Sequence, residues 1–200
     1  MKVAVPQNAL RKLTRWSRNA LLTLAAGLLG YCAIVLADTW MYQKQASQLF
    51  DRAHLQVSAI PSPGMDSTNG LLGRMEIPRL GVSVIIAEGT KESTLRRAGG
   101  HIAGTSFPGQ GGNVGIAGHR DTLFRPLRNI RQNDVITLTT LAGEYRYRVT
   151  STEIVSPSDV TVLQPDGHEI LTLVTCYPFY FVGPAPDRFI VRAARVMGST

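Results

Sequence analysis

The longest uninterrupted apolar segment of the chain lies near its start, at residues 20–37. None of its eighteen side chains is charged, and only three are mildly polar: Thr23, Tyr31 and Cys32. A helix that rises 1.5 Å per residue would extend about 27 Å over this segment, close to the hydrocarbon thickness of a bilayer. The pattern therefore predicts a transmembrane helix.

The residues on either side of this segment predict its orientation. Residues 1–19 contain five cationic side chains and no acidic one, whereas Asp38 follows the segment directly. Trp16 and Trp40 lie where the two membrane interfaces are expected. We therefore expect a cytoplasmic N-terminal tail and an exported remainder. A signal peptide cleaved before Asp38 is the alternative, although the apolar segment is longer than a typical signal core.

Residues 38–69 are predicted to connect the membrane segment to a folded domain. The first part, residues 39–57, contains no Gly or Pro, and its spaced apolar side chains favour a helix that leaves the membrane. The second part, residues 58–69, is typical of a linker because it contains Pro61, Pro63 and Gly64.

From residue 70 onward the pattern changes to short β-prone runs separated by turns. Several are rich in β-branched and aliphatic residues, as buried strands are. Many short strands within about 125 residues favour an all-β domain, either a closed barrel or a sandwich, over a doubly wound sheet. The predicted strands are Arg74–Ile77, Val82–Ala87, Asn113–Ala117, Val135–Thr140, Tyr145–Val155, Ile170–Thr175 and Phe189–Val196. Short helical turns are expected at Ser93–Arg97 and Thr122–Leu127.

The net charge of +7 does not indicate a nucleic-acid-binding protein. Five of the 21 Lys and Arg residues lie in the N-terminal tail, which leaves 16 cationic against 14 acidic side chains in the rest of the chain. The basic character therefore belongs mainly to the tail, and we expect no nucleic-acid partner.

Cys176 is predicted to be an unpaired thiol in the exported domain. The other cysteine, Cys32, lies inside the predicted membrane segment, where it cannot pair with Cys176. A single cysteine in an oxidising compartment indicates either intermolecular pairing or reactive chemistry. The four histidines show no metal-ligand spacing, and we expect neither a metal nor another cofactor.

Three residues at the ends of predicted strands have the chemistry that acyl transfer requires: His119, Cys176 and Arg188. A cysteine thiolate is a nucleophile, a histidine can transfer protons, and an arginine can stabilise a developing oxyanion. Each residue also has a structural interpretation. The cysteine can be a small buried apolar residue, the histidine a hydrogen-bonded polar group, and the arginine an ion-pair partner of Asp187.

The motifs around these residues resemble those of the sortase family. The run T-L-V-T-C at residues 172–176 is similar to the sequence around the sortase nucleophile, and a histidine follows Ala117-Gly118 as in that family. The runs at residues 176–179 and 185–189 are most similar to class D sortases. The resemblance extends over most of residues 70–196.

This resemblance implies a closed eight-stranded β-barrel with short helices, in which residues 70–197 form the catalytic domain. It implies cleavage of a Leu-Pro-x-Thr-Gly or Leu-Pro-x-Thr-Ala sorting signal after the threonine. Cys176 would form a thioacyl intermediate, His119 would transfer protons, and Arg188 would stabilise the tetrahedral intermediate. The implied substrate-binding residues are Ala117, Val174, Thr175 and Tyr177.

The implied partners are exported proteins that carry a sorting signal, and an amine from a cell-wall precursor or a pilin lysine. The expected location is the cell membrane, with one span and an extracytoplasmic catalytic domain. Two alternatives stay open: a cysteine peptidase that only hydrolyses, and a non-catalytic β domain that binds envelope components.

Overall fold

The computed structural model describes residues 7–57, 70–181 and 183–196. The predicted linker at residues 58–69 lies outside the described residues. Two helices are present in the described part of the chain, α1 (Gln7–Val57) and α2 (Glu92–Leu95), together with three short 3₁₀ turns. The strands are β1 (Leu71–Ile77), β2 (Val82–Glu88), β3 (Gly99–His101), β4 (Asn113–Ala117), β5 (Val135–Thr140), β6 (Gly143–Val155), β7 (Ile170–Tyr177) and β8 (Asp187–Arg195).

Helix α1 includes both the predicted membrane segment and the predicted helix that follows it. Its part between Thr14 and Ala53 is long and apolar enough to cross a membrane, by length and composition. This confirms an N-terminal apolar helix that fits a membrane anchor. The chain divides into two compact units within this helix, the first ending at Met41 and the second beginning at Tyr42.

The eight strands form a closed barrel in the order β1-β2-β3-β4-β7-β8-β6-β5, and β5 pairs again with β1. Most neighbouring strands are antiparallel, but β2 pairs with β3 and β4 pairs with β7 in parallel. The closed barrel confirms the all-β prediction and decides between the barrel and the sandwich. Because the sheet closes on itself, each strand has a paired neighbour on both sides.

The barrel interior is filled by alternate side chains of the strands, because successive residues of a strand point to opposite faces. Leu171 and Leu173 of β7 are fully buried in this core, as are Val191 and Ala193 of β8. The alternate residues of β7, which are Thr172, Val174 and Cys176, therefore point to the outer face of the barrel. The other buried core residues include Met75, Ile77, Val84, Ile86, Val114, Ile116, Phe124, Leu127, Ile136, Leu138, Tyr147 and Val149.

One strand, β3, was missed in the sequence analysis because it has only three residues, two of them glycine. Close packing explains the glycines. A Cβ atom on Gly99 would lie 2.6 Å from the side chain of Ile86, and one on Gly100 would lie 2.4 Å from the carbonyl oxygen of Gly89. The strand therefore depends on the absence of side chains, which a propensity pattern does not detect.

The C-terminal part of α1 packs on the outside of the barrel against β1 and β2. Ala46 and Phe50 form a second buried apolar cluster with Ile85, whose side chain points away from the barrel core. The Arg74 guanidinium donates to the Asp51 carboxylate over 2.8 Å and lies 5.7 Å from the centre of the Phe50 ring. The described end of α1, which begins the second compact unit at Tyr42, is therefore packed on the barrel.

Hydrogen bonds of the Arg79 side chain join the β1–β2 connection to the start of β5. Arg79 donates to both carboxylate oxygens of Asp134, at 2.6 Å for Nη2 and Oδ2, and also to the Asn129 carbonyl oxygen. The backbone N–H of Arg131 donates to the same carboxylate. These donors, the Arg79 guanidinium first, hold the pKa of Asp134 below its ordinary value despite its burial.

We predict that Phe50→Ala destabilises the domain by about 3 kcal/mol, because it removes a large buried ring. Phe50 is 3% exposed, whereas its neighbour Leu49 is 54% exposed. Leu49→Ala should therefore change the stability by about 0.5 kcal/mol or less. Urea unfolding of the purified full chain, followed by circular dichroism, measures both. Equal losses in the two variants would contradict the packing of α1 on the barrel.

We predict that Asp134→Asn lowers the free energy of unfolding at pH 7 by about 1–2 kcal/mol, a modest loss because Arg79 is partly exposed. Since the folded-state pKa of Asp134 is lowered, its stabilisation is present above the ordinary pKa of about 3.9 and is lost as the pH falls through the lowered value. The variant should therefore show a shallower loss of stability in acid. Urea unfolding at several pH values checks this, with Glu153→Gln, an exposed carboxylate of β6, as the control.

Candidate active site

The parallel pairing of β4 with β7 brings the predicted histidine and cysteine to the same end of the sheet. Ala117 is the pairing partner of Val174, and the Gly118 N–H donates to the Val174 carbonyl oxygen over 3.0 Å. His119 and Cys176 each follow two residues after this last pair. Because the two strands run in the same direction, both residues lie at the same end of the sheet.

The antiparallel pairing of β7 with β8 places Arg188 directly opposite Cys176. Residues directly opposite each other share one face of the sheet, with Cβ atoms about 4.5–5.5 Å apart. The Arg188 guanidinium is partly buried and donates through Nη1 to the carbonyl oxygens of Ala185 and Asp187, over 3.4 and 3.0 Å. Three strands thus carry Cys176, His119 and Arg188 to the same end of the sheet.

The outer face next to Cys176 is apolar. Val174 lies two residues before Cys176 on the same face, between its pairing partners Ala117 and Ile190. Ala117 and Val174 are partly buried, while Ile190 is buried. The partly exposed side chains of Ala117 and Val174 offer an apolar surface along which an extended peptide with aliphatic side chains could lie beside the thiol, and the buried Ile190 packs beside Val174.

Thr175 and Tyr177, the other two predicted substrate-binding residues, belong to the opposite face of β7. Thr175 is 2% exposed, and its hydroxyl donates to the Gly118 carbonyl oxygen over 2.8 Å. The Tyr177 ring packs against the barrel core, with its centre 6.1 Å from the Phe179 ring and 6.3 Å from the Phe189 ring. Both side chains support the strand that carries Cys176.

The backbone around His119 is held from both sides. Gly118 packs against the fully buried ring of Phe124, so that a Cβ atom on Gly118 would lie 2.7 Å from that ring. On the other side, the Phe124 N–H donates to the His119 carbonyl oxygen over 3.1 Å. The glycine before the histidine is therefore required by a close approach, while the turn that follows limits where the imidazole can lie.

Buried polar side chains fasten the connections beside this face. His101 is fully buried, with Nδ1 2.9 Å from the Glu88 carboxylate and Nε2 donating to the Ser106 carbonyl oxygen over 3.0 Å. Asn113 donates through Nδ2 to the carbonyl oxygens of Val162 and Gln164. His101 and Asn113 thus attach the β3–β4 and β6–β7 connections to the barrel.

Arg120 is a residue of this region that the sequence analysis did not single out. It follows His119 directly, is buried, and donates to carbonyl oxygens of the connection between β7 and β8. Nothing in its local sequence distinguishes it from an arginine in a solvated turn. Its role becomes visible only from its hydrogen bonds to backbone carbonyls that are distant in sequence.

Among residues 7–57, 70–181 and 183–196, no three His, Cys, Asp or Glu side chains are grouped so that they could hold a metal ion.

Comparison with known proteins identifies relatives of this fold. The Sortase domain family model matches residues 75–196. Sortase D of Bacillus subtilis (strain 168) is 35% identical over 148 residues, which cover 73% of this chain and 72% of that protein. The solved Clostridium perfringens sortase D5 transpeptidase is 28% identical, with a TM-score of 0.63 over 78% of this chain and 97% of that one. Sortase C-1 of Actinomyces oris is 25% identical, with a TM-score of 0.61 over 78% and 99%.

We predict that Thr175→Val destabilises the domain by about 1–3 kcal/mol, because the buried Gly118 carbonyl loses a donor that water cannot replace there. Thr150→Val is the matched control, since the Thr150 hydroxyl also donates to a backbone carbonyl, that of Arg192, but on the exposed surface. Urea unfolding of both variants tests this. A similar small loss in both would show that the buried bond has no special importance.

Proposed function

The chain belongs to the sortase family of cysteine transpeptidases, and we propose that it transfers exported proteins to an amine through a thioacyl intermediate on Cys176. The observation that carries this proposal is the strand register. In this register Cys176 lies opposite Arg188 and at the same end of the sheet as His119. Nucleophile, proton carrier and cation are thereby available to one scissile peptide bond.

In the first half of the proposed reaction, the proton of the Cys176 thiol passes to His119, and the sulfur attacks the carbonyl carbon of the threonine in the sorting signal. The electron pair of the carbonyl moves to its oxygen and forms a tetrahedral oxyanion. When this intermediate collapses, the C–N bond breaks and His119 gives its proton to the departing amine. The products are a thioacyl enzyme and the released C-terminal peptide.

In the second half, His119 takes a proton from the incoming amine, which attacks the thioester carbonyl. The C–S bond of the second tetrahedral intermediate then breaks, an amide bond is formed, and the Cys176 thiolate is released. Atoms and charges balance without any cofactor. Water in place of the amine would give a carboxylate product, which is the reaction of a peptidase.

Arg188 is the proposed electrostatic partner of the oxyanion or of the substrate backbone. A guanidinium is permanently charged and has five N–H donors in a fixed plane. The two hydrogen bonds to Ala185 and Asp187 both start from Nη1, and they orient the group at the start of β8. Its position opposite Cys176 supports a role at the reacting carbonyl.

We propose a sorting signal of the Leu-Pro-x-Thr-Gly or Leu-Pro-x-Thr-Ala kind. The partly exposed apolar side chains of Ala117 and Val174 suit the leucine and proline side chains of such a peptide. Thr175 and Tyr177 would act from the inner face, by holding β7 in place. The amine would come from a cell-wall precursor or a pilin lysine.

We also propose that residues 1–19 are a cytoplasmic tail, that residues 20–37 anchor the enzyme in the cell membrane, and that the remainder is extracytoplasmic. Residues 38–69 would connect the anchor to the catalytic domain at 70–197. An enzyme held at the membrane surface would meet exported substrates and a lipid-linked acceptor in two dimensions. The absence of charge from residues 20–37 and the cations before them support this arrangement.

We predict that Cys176→Ala abolishes both cleavage and transfer, because no other group replaces the sulfur. Cys32→Ala is the matched control, since it removes the other cysteine of the chain and should leave turnover unchanged. The full chain in detergent is incubated with each of the two peptides, with and without an added amine. Intact-mass spectrometry then detects the thioacyl adduct and the products.

An adduct on Cys176 that converts to an amine-linked product would establish transpeptidation and identify the preferred signal. An adduct that is only hydrolysed, whatever amine is added, would favour the peptidase. Wild-type turnover by Cys176→Ala would contradict the mechanism. A folded chain whose thiol neither reacts with peptide nor can be alkylated would favour the envelope-binding domain.

A further inference from the structure

The Arg120 side chain is a buried cation that the proposed mechanism does not use. It is 6% exposed, although arginine is among the residues least often buried. Its Nη1 donates to the Pro178 carbonyl oxygen over 2.9 Å, and its Nη2 donates to those of Phe181 and Gly183 over 2.6 and 3.1 Å. One guanidinium thus binds three carbonyls within six residues of chain.

Burial of this cation is not explained by an ion pair. The Asp121 carboxylate lies 3.4 Å from Nε, but its side chain is 68% exposed, so water screens the interaction. The Phe181 ring, 5.9 Å from the guanidinium, adds a cation–π contact. The carbonyl oxygens satisfy the donors without neutralising the charge. An apolar side chain would fill such a space at a lower desolvation cost, so the value of Arg120 lies in the geometry that it imposes.

That geometry concerns all three proposed catalytic residues. The carbonyls of Pro178, Phe181 and Gly183 belong to the connection that leaves β7 just after Cys176 and enters β8 just before Arg188. Arg120 itself follows His119 by one peptide bond. Strand pairing holds Cys176 and Arg188 in register, but His119 lies beyond the last residue of β4. Arg120 supplies a side-chain attachment between the histidine turn and the cysteine–arginine connection.

We propose that Arg120 is a positioning residue for transpeptidation, and that it holds the His119 imidazole and the β7–β8 connection at a set distance across the active site. This inference rests on the roles proposed above for His119, Cys176 and Arg188. Arginine suits the task because its rigid fork presents several donors at once, which one ammonium group cannot do for three separated carbonyls. A displacement of about 1 Å between reacting groups can reduce a rate by about a hundredfold.

The test measures the single-turnover rate of thioacyl formation in a Cys32→Ala background, with the full chain in detergent and excess sorting-signal peptide. We expect Arg120→Met to slow the rate constant by about 10- to 100-fold, with the peptide concentration that gives half-maximal rate changed by less than about threefold. Arg120→Lys keeps the positive charge but lacks the planar guanidinium. Its rate constant should lie between those of the wild type and Arg120→Met. The amplitude reports the folded fraction, whereas the rate constant reports the geometry of the molecules that react.

Arg128→Met is the matched control. Arg128 is exposed and lies over the Tyr180 ring of the same connection, 5.6 Å from its centre. This variant should change the rate constant by less than about threefold, because a surface contact of this kind contributes little. A similar loss in Arg120→Met and Arg128→Met would overturn the proposal, since any disturbance of the connection would then suffice.

Two further outcomes distinguish a positioning role of Arg120 from a purely structural role and from failure of the proposed function. If Arg120→Met or Arg120→Lys shows a reduced amplitude but the wild-type rate constant, Arg120 only stabilises the fold and the proposal is overturned. If the wild-type chain forms no adduct, the proposed function fails. The positioning role of Arg120 is then tested by the rate at which iodoacetamide alkylates Cys176. An alkylation rate unchanged in both Arg120 variants would overturn the positioning role independently of any peptide.

Discussion

The pairing of β7 with a parallel strand on one side and an antiparallel strand on the other determines where the candidate site lies. Parallel pairing with β4 makes the ends of these two strands coincide, so that His119 and Cys176 emerge together. Antiparallel pairing with β8 makes the end of β7 coincide with the start of the next strand, where Arg188 lies. A shift of one residue in either register would turn Cys176 into the barrel core. The core residues Leu171 and Leu173 oppose such a shift, because it would expose them.

Around this frame, buried polar side chains attach irregular segments to the barrel. His101, Asn113 and Arg120 each bind carbonyl oxygens of a connection beside the outer face of β4 and β7. Carbonyl groups that turn away from a ladder need donors when they are buried. The side chains that supply these donors therefore decide where the connections rest. The connections beside the candidate site are in this way held by hydrogen bonds, while the strands that carry its residues are held by pairing.

Much of this architecture could be predicted. Seven of the eight strands follow from β-prone runs, and the two short helical turns were expected close to where α2 and the Arg125–Asn129 turn lie. The missing strand, β3, is stabilised by a close approach of backbones, for which glycine is needed but which glycine alone does not indicate. The packing of α1 on β1 and β2 was also not predicted. The loose spacing of Ala46 and Phe50 gives no indication that they pack against a second apolar surface around Ile85.

The sequence by itself determined the apolar helix, the all-β domain and the three residues that can perform acyl transfer, because each depends on local periodicity or on a short motif. Tertiary structure decided on which face of the sheet their neighbours lie: Val174 and Ala117 point outward, whereas Thr175 and Tyr177 support β7 from within. It also revealed Arg120, whose three acceptors lie 58 to 63 residues away along the chain. Contacts over such separations arise from the order in which strands pair, and no property of a residue's own neighbourhood encodes them.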